Sequence, residues 1–275
     1  MGHASRRRRL TPDAFRRDMA AWPGAPDAPG RLPLHNDDPD RALRSLPLRL
    51  AITAVAMLAL AVLAFWPQYL SKFRAADAYT HLHAVLGLAW LLLLVAQPLL
   101  FQARRLSLHC TVGRYACALG AAFVLSGVLV AHRSVNRMTP DVFEREGHFV
   151  YLPLVMAALF AAALALGVAW RTAPAVHARF MACTALPLLD PLLARILFFH
   201  FPPLPAEFLY QTPAFLIVGG TLALLLKSLP RRSAGRSAFG VFSLATTSAL
   251  LLFFLTPYSA GWLAFARWFR SMPMT

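Results

Sequence analysis

Charged side chains are scarce in this sequence. Asp, Glu, Lys and Arg make up 14% of its 275 residues, whereas hydrophobic residues make up 58%. A soluble globular domain carries about a quarter charged residues, so this shortage argues against an ordinary soluble fold. The few charges lie in short segments between long apolar runs. Both observations indicate a membrane protein.

Cysteine pairs and catalytic motifs are also lacking. Cys110, Cys117 and Cys183 are odd in number and show no C-x-x-C spacing, so a structural disulfide is not expected. The sequence contains no nucleophilic triad pattern, glycine-rich phosphate loop or metalloprotease motif. Ordinary hydrolases and nucleotide enzymes are therefore not predicted, while enzymatic activity of another kind is left open.

Seven long apolar runs account for most of the chain. Each has about 17–22 residues, enough for a helix to cross roughly 30 Å of hydrocarbon. Such continuous runs differ from the alternating strands of a membrane barrel. We therefore predict an all-α integral membrane domain over residues 50–275 with about seven transmembrane helices. The runs are Leu50–Trp66, Ala84–Phe101, Tyr115–Ala131, Phe149–Trp170, Phe180–Phe199, Phe208–Leu226 (interrupted by Pro213) and Ala238–Tyr258.

The distribution of basic residues predicts the orientation. Nineteen Lys and Arg residues fall on the side that holds the N-terminus, and seven fall on the opposite side. We expect the basic side to face the cytoplasm, with the C-terminus outside. Richness in Ala, Leu and Arg suggests a bacterial chain, and hence the inner membrane. The formal net charge of +15 fits contact with anionic lipid headgroups and requires no nucleic-acid partner.

Residues 1–49 form a separate region. They hold ten arginines, including the run Arg6–Arg9, together with recurrent prolines and no apolar periodicity. This composition predicts a disordered, basic, Pro-rich cytoplasmic tail. No apolar segment follows the arginines closely, so a cleaved signal peptide is not predicted.

The predicted helices two to five show an internal repeat. In the hairpin of helices two and three, an outer histidine, an inner arginine and a loop histidine follow one another, and helices four and five repeat this order. Parallel repeats of this kind suggest that helices two to five form a four-helix core. The histidines are His83 and His109 in the first hairpin and His148 and His177 in the second.

Five histidines fall at the outer ends of four predicted helices. Imidazole suits a haem, a divalent metal such as zinc or copper, and a proton-responsive cluster, and it is also tolerated at a lipid interface with no further role. Residue type alone leaves these alternatives open. The five are His81, His83, His132, His148 and His200.

Short histidine motifs carry a family resemblance. They are H-x-x-x-G at His83–Gly87, H-x-x-x-G-R at His109–Arg114 and H-x-R-F-M at His177–Met181. With them, residues 81–196 resemble an uncharacterised family of bacterial polytopic membrane proteins. The order of histidines is also distantly similar to the transmembrane di-haem cytochromes b of the ascorbate-reducible type.

The cytochrome resemblance implies two histidine pairs. In that family the first ligand helix pairs with the third and the second with the fourth, which pairs His83 with His148 near the outer face and His109 with His177 near the inner face. Bis-imidazole ligation also needs a partner that fixes each ring. Because His109 lies six residues before Tyr115, about 9 Å outside the apolar run if helical, we expect one haem b at most, held by the outer pair.

The fifth apolar run contains a carboxylate between two prolines. Asp190 falls near the middle of the run, with Pro187 and Pro191 on either side. These prolines predict a kinked or broken helix, and broken helices with a midplane charge build ion and substrate sites in transporters. An internal ion pair with Arg195 is the structural alternative, although five residues is not a favourable spacing on a regular helix.

Three functional hypotheses follow. The first is a b-type haem electron-transfer protein or membrane oxidoreductase subunit that uses His83 and His148, with His109 and His177 as the weaker pair. The second is a small proton-coupled transporter or permease that uses Asp190. The third is a non-catalytic accessory membrane protein. Metal binding by His81, His132 or His200 is a further expectation.

Overall fold

A computed structural model describes residues 39–201, 210–229 and 235–275, and their side chains from residue 47 onward. Within these ranges every regular element is helical. The α-helices are α1 (Pro39–Phe65), α2 (Ala78–Gln102), α3 (Leu106–Asn136), α4 (Pro140–Glu146), α5 (Tyr151–Ala169), α6 (Pro174–Cys183), α7 (Leu186–His200), α8 (Thr212–Lys227), α9 (Arg236–Leu252) and α10 (Ala260–Ser271).

Five helical segments are long and apolar enough to cross a membrane, and the chain is a multi-pass membrane protein. They coincide with the first five apolar runs of the sequence. The segments are Pro47–Leu70, Ala78–Gln102, Leu106–Asn136, Pro140–Ala169 and Pro174–His200. Helices α8 and α9 are also apolar but shorter, with 16 and 17 residues.

Helix α1 begins at Pro39, ten residues before the expected end of the N-terminal tail. The rest of that tail, residues 1–38, lies outside the described residues. Helix α3 also begins earlier than its apolar run, at Leu106 instead of Tyr115. This difference matters for the site below, because it places His109 inside a helix.

Small residues let the central helices approach closely. Beside Gly120 of α3, an added Cβ would lie 2.5 Å from the Leu164 side chain of α5 and 3.0 Å from the Trp90 ring of α2. Trp90, Phe123 and Phe160 are buried together at this junction. Close approach through small residues is the usual basis of helix association in membranes.

The expected break in the fifth apolar run is confirmed. Helix α6 ends at Cys183 and α7 starts at Leu186, so Thr184 and Ala185 interrupt the regular helix. Pro187 lies in the first turn of α7, where a missing N–H is tolerated, and Pro191 lies inside α7. Asp190 is thereby held one turn after a helix start.

Contacts gather at two opposite ends of the bundle. At one end, the Asp77 carboxylate before α2 pairs with Arg137 at 2.8 Å and Arg133 at 3.5 Å, both from the end of α3. At the other end, Gln97 of α2 contacts His109 at the start of α3. Helices α2 and α3 are therefore antiparallel neighbours along their whole length.

The C-terminal helix α10 packs on the first of these ends. Ala266 and Phe269 are buried there beside Ala131 and Val135 of α3, while Trp268 is exposed. An amphipathic helix with exposed aromatic residues is typical of a segment lying at a membrane interface.

Candidate functional site

Two of the predicted histidine ligands lie side by side. The rings of His109 on α3 and His177 on α6 have their centroids 6.5 Å apart, with nearly perpendicular planes at 81°. Both side chains are half-buried. The inner pair of histidines, expected to be the weaker one, is thus the pair that the fold brings together.

Each of these imidazoles is oriented by a backbone carbonyl. His109 Nδ1 donates to the Gln97 carbonyl oxygen at 3.2 Å, and His177 Nδ1 donates to the Gly167 carbonyl oxygen at 2.7 Å. Since a carbonyl oxygen only accepts, both Nδ1 atoms carry the proton. A neutral ring in this tautomer leaves its Nε2 lone pair available for a metal, which is the usual arrangement behind a metal-binding histidine.

Local chain geometry supplies both acceptors. Gly167 is among the last four residues of α5, whose carbonyls have no partner within their own helix. An added Cβ on Gly167 would lie 2.7 Å from Met181 Sδ of α6, so a larger residue there would require the Met181 side chain to shift. Gln97 also donates through its side chain to the His109 carbonyl at 3.4 Å, which ties the end of α2 to α3.

The surroundings of the pair combine an aromatic ring, a glycine and positive charge. The Phe101 ring lies 6.1 Å from that of His109 in an edge arrangement. One helical turn after His109, a Cβ on Gly113 would meet only Gln97 Nε2, at 3.8 Å. Exposed arginines lie nearby in sequence at the same end: Arg104, Arg105, Arg114 and Arg171.

The outer histidine His83 is also oriented. Its Nδ1 lies 2.9 Å from Ser126 Oγ, and its ring stacks on Phe123 with a centroid distance of 4.7 Å and an interplanar angle of 9°. Because Ser126 donates its proton to the Phe123 carbonyl, it accepts from His83. All of these contacts are with α3.

His148 lies in a different setting. It precedes α5 in a short 3₁₀ turn, Gly147–Val150. Its ring packs on Phe149 and Tyr258, at centroid distances of 4.2 and 4.8 Å, and its carbonyl accepts from Trp262 Nε1 at 3.3 Å. Tyr258 and Trp262 belong to the C-terminal segment, whereas the described contacts of His83 are with α3. Ligation by this outer pair stays a prediction.

The remaining predicted histidines each have a polar neighbour at hydrogen-bond distance. His81 Nδ1 lies 3.0 Å from the Tyr69 hydroxyl, His132 Nδ1 lies 2.7 Å from Thr275 Oγ1, and His200 Nε2 lies 3.3 Å from the Leu63 carbonyl. Among the residues that the structure describes, no three His, Cys, Asp or Glu side chains gather into a metal site. Metal binding by these three histidines is an untested prediction.

Asp190 is 4% exposed and lines a small internal cavity of about 10 Å³. Thr246 of α9 lines the same cavity. Within the described part of the chain, neither Asp190 Oδ1 nor Thr246 Oγ1 has a hydrogen-bond partner. The cavity is otherwise lined by apolar residues and Cys183: Met156, Leu159, Leu186, Pro187, Phe215, Val218, Phe242 and Leu250.

The Arg195 side chain has its described contacts with groups other than this carboxylate. Its Nη1 donates to the Pro191 carbonyl at 3.0 Å, and its guanidinium lies over the Phe65 ring at 5.0 Å. The two charges interact electrostatically, yet no salt bridge is formed between Asp190 and Arg195, both of which the structure describes. The structural alternative of a direct ion pair is thus absent here.

Three contributors to these sites were missed from the sequence. The carbonyls of Gln97 and Gly167 carry no side-chain signal, since every residue has one. Thr246 stands in an apolar run beside Thr247, where a polar pair could have been noticed. Comparisons with family models, curated proteins and solved structures found no match for this chain, so its candidate sites are defined by their geometry.

Proposed function

We propose that this protein is a b-type haem protein of the membrane that passes single electrons, with His109 and His177 as the axial ligands of one haem. The observation that carries the proposal is the pairing of two half-buried imidazoles, each of which donates a hydrogen bond from Nδ1 to a backbone carbonyl. When bound, the haem iron supplies the reversible one-electron step.

The spacing of the rings supports this assignment. With metal–nitrogen bonds of about 2 Å, two imidazoles on opposite sides of one metal have ring centres roughly 6 Å apart. The 6.5 Å separation of His109 and His177 is close to that distance. Two histidines without a third ligand suit a cofactor that provides its own equatorial nitrogens better than they suit a tetrahedral zinc ion.

Two other features fit a haem at this place. Gly113 lies on the helix face that carries His109, and a Cβ there would make only an ordinary contact, with Gln97 Nε2 at 3.8 Å. The exposed arginines at the same end of the bundle provide positive charge for anionic propionate groups, with which arginine forms charge-assisted hydrogen bonds.

We further propose that α8 and α9 also cross the membrane, which gives seven spans. At 1.5 Å per residue they cover about 24 Å and 26 Å, and short flanking segments would complete the crossing. The N-terminus would then lie in the cytoplasm of a bacterial cell and the C-terminus outside, with basic residues facing the anionic headgroups of the inner membrane. The histidine pair would be on the cytoplasmic side.

A four-helix core fits the same proposal. The ligands come from α3 and α6, and the carbonyls that orient them come from α2 and α5. These helices belong to the second to fifth spans. Each ligand is thus held by the preceding helix of its own hairpin, which matches the repeat in the sequence.

Absorbance spectroscopy of the purified protein tests the proposal. The protein is expressed with haem supplementation, purified in detergent and measured before and after dithionite reduction. We expect a sharpened band in the green on reduction, lost in His109→Ala and His177→Ala and retained in His83→Ala and His200→Ala. A folded wild-type protein without this band would refute the proposal, and loss of the band only in His83→Ala and His148→Ala would transfer the ligand role to the outer pair.

A further inference from the structure

Asp190 is an almost fully buried carboxyl group inside the fifth span, Pro174–His200. Its residue is 4% exposed, and Oδ1 has no hydrogen-bond partner among the described residues. An ionised carboxylate loses its hydration on burial, which is costly unless an opposite charge or several hydrogen-bond donors replace the water. A neutral carboxylic acid avoids most of this cost. The protonation state of Asp190 therefore depends on the groups that surround it.

The cavity beside Asp190 offers no positive charge. Its lining residues from α5, α8 and α9 carry no ionisable side chain, and α6 contributes only the thiol of Cys183. Nearly all of the lining surface is apolar. The volume of about 10 Å³ leaves room for one water molecule at most, whereas an ionised carboxylate has about four acceptor sites to satisfy. Neither the lining residues nor water in this cavity would compensate an ionised Asp190.

Arg195 supplies a positive charge, but without direct contact. A nearby cation favours the ionised form of a carboxyl group, and Arg195 interacts electrostatically with Asp190. The guanidinium does not line the cavity, and these two described residues form no salt bridge. Arg195 Nε is itself buried without a hydrogen-bond partner among the described residues. Because burial of a carboxylate is offset chiefly by a direct, hydrogen-bonded ion pair, Arg195 compensates an ionised Asp190 only in part.

We propose that Asp190 is a proton-binding site, whose carboxyl group carries a proton at neutral pH and donates it in a hydrogen bond to the hydroxyl of Thr246. Thr246 is 3% exposed and lines the same cavity, and its Oγ1 has no hydrogen-bond partner among the described residues. A protonated carboxyl is a donor and a hydroxyl is an acceptor. One proton thus satisfies both side chains, after a small side-chain rotation or through one water molecule.

The site is separate from the proposed haem ligands. Its walls come from α5, α7, α8 and α9 and from the end of α6, whereas the histidine pair lies between α3 and the start of α6. The inference therefore does not rest on the haem proposal, and a colourless protein would still bind the proton. Ionisable side chains inside a span are the usual components of proton pathways, so the site gives the C-terminal half of the chain a binding function of its own.

Infrared spectroscopy of the full-length protein tests the inference. The protein is purified in a maltoside detergent, which has no carbonyl group, and its spectrum at neutral pH is compared with that of Asp190→Asn. We expect the wild type to show a carboxylic-acid C=O band that Asp190→Asn lacks, because exposed Asp and Glu side chains are ionised at this pH. Identical spectra in this region would overturn the proposal, since Asp190 would then be ionised.

Two matched threonine variants test the hydrogen-bond partner of Asp190. Thr246→Val removes the unpartnered hydroxyl at nearly constant volume, and we expect the C=O band to move to higher frequency, as in a carboxylic acid without a hydrogen bond. Thr247→Val is the control and should leave the band in place, because the Thr247 hydroxyl donates to the Ser243 carbonyl at 2.9 Å and Thr247 does not line the cavity. The same band position in both variants would contradict the assignment.

The pH dependence of thermal unfolding in detergent gives a second test. The unfolded chain releases the Asp190 proton well below neutral pH, whereas the folded protein retains it, so the Tm of the wild type should fall relative to that of Asp190→Asn as the pH rises from about 5 to 8. We expect a relative fall of roughly 3 °C per pH unit. A difference that stays constant or rises would overturn the proposal. If Asp190→Asn does not fold, the infrared comparison of Thr246→Val with Thr247→Val gives the decision.

Discussion

The indole of Trp90 donates a hydrogen bond of 3.1 Å to the hydroxyl of Thr184, and both side chains are fully buried. Thr184 lies in the break between α6 and α7, and its hydroxyl donates a hydrogen bond of 2.6 Å to the Met181 carbonyl. A residue of α2 is thus hydrogen-bonded to the point at which the helix of the fifth span is interrupted. The sequence separation of 94 residues makes this one of the longest-range polar contacts of the central helices.

A double-mutant cycle measures this contact. Trp90→Phe removes the donor and Thr184→Val removes the acceptor, and we expect each to lower the free energy of unfolding. The coupling between them should be about 1 kcal/mol, as for a single buried hydrogen bond. Additive effects of the two substitutions would show that the bond contributes no stability.

Gly167 should be required for the histidine pair. Gly167→Val places a branched side chain where a Cβ alone would lie 2.7 Å from Met181 Sδ and 3.5 Å from Phe180 Cβ. The Met181 side chain must shift, and we expect the bulk of valine to displace the Gly167 carbonyl that orients His177. We expect loss of the haem absorbance in a protein that remains folded. Gly219→Ala is the control, since a Cβ there meets nothing within 4 Å, and it should leave the spectrum unchanged and stabilise α8 by about 1 kcal/mol. An unaltered spectrum in Gly167→Val would count against the proposed ligand geometry.

Asp77 should make stability depend on pH in the acid range. Hydrogen bonding from the Thr80 backbone N–H, followed by the charges of Arg137 and Arg133, holds the pKa of this carboxyl below its ordinary value. A lowered pKa in the folded state means that the stabilisation is complete above the ordinary value of about 3.9 and is lost as the pH falls below it. The difference in Tm between wild type and Asp77→Ala should therefore shrink on acidification.

A second substitution separates the two roles of Asp77. Asparagine keeps the ability to cap α2 but carries no charge, so Asp77→Asn should cost less than Asp77→Ala. The cap is worth about 1 kcal/mol and the partly exposed ion pairs a few tenths more. Equal destabilisation by the two variants would mean that the ion pairs, and not the cap, provide the stability.

Arg179 should be essential for joining α6 to the end of α8. The guanidinium is 6% exposed and donates to Ser228 Oγ at 3.0 Å, to the Ser228 carbonyl at 3.1 Å and to the Ala175 carbonyl at 2.6 Å. Lysine cannot reproduce a fork of planar donors. We expect Arg179→Lys to lower the free energy of unfolding by about 2–3 kcal/mol, measured by chemical denaturation. Arg171→Lys, at an exposed position, is the control and should have little effect.

Spans and helix breaks could be predicted from the sequence because they depend on single, local requirements. A hydrocarbon layer demands long apolar runs, and all five long helical segments coincide with such runs. Proline demands a gap in the hydrogen-bond ladder, and the gap lies just before Pro187. In each case the cause is contained in a short stretch of residues, so tertiary contacts were not needed to find it.

The site depends on relations that the sequence does not display. The sequence places His109 outside the apolar run that starts at Tyr115, and it does not show that α3 begins at Leu106 and includes this histidine. The acceptors for His109 and His177 are backbone carbonyls, which have no sequence signature. Thr246 comes to the cavity of Asp190 only through the tertiary fold, because α9 and α7 contribute to the same cavity wall.

Helix α6 connects the histidine pair to the cavity that Asp190 lines. It carries His177 in its first turn and ends at Cys183 on the cavity wall, six residues or about 9 Å further along the axis. Because its ten residues form one regular helix, we expect α6 to move as a rigid body. A rotation of α6 that turns the imidazole of His177 therefore also displaces Cys183. A structural change at the histidine pair would in this way alter the cavity wall.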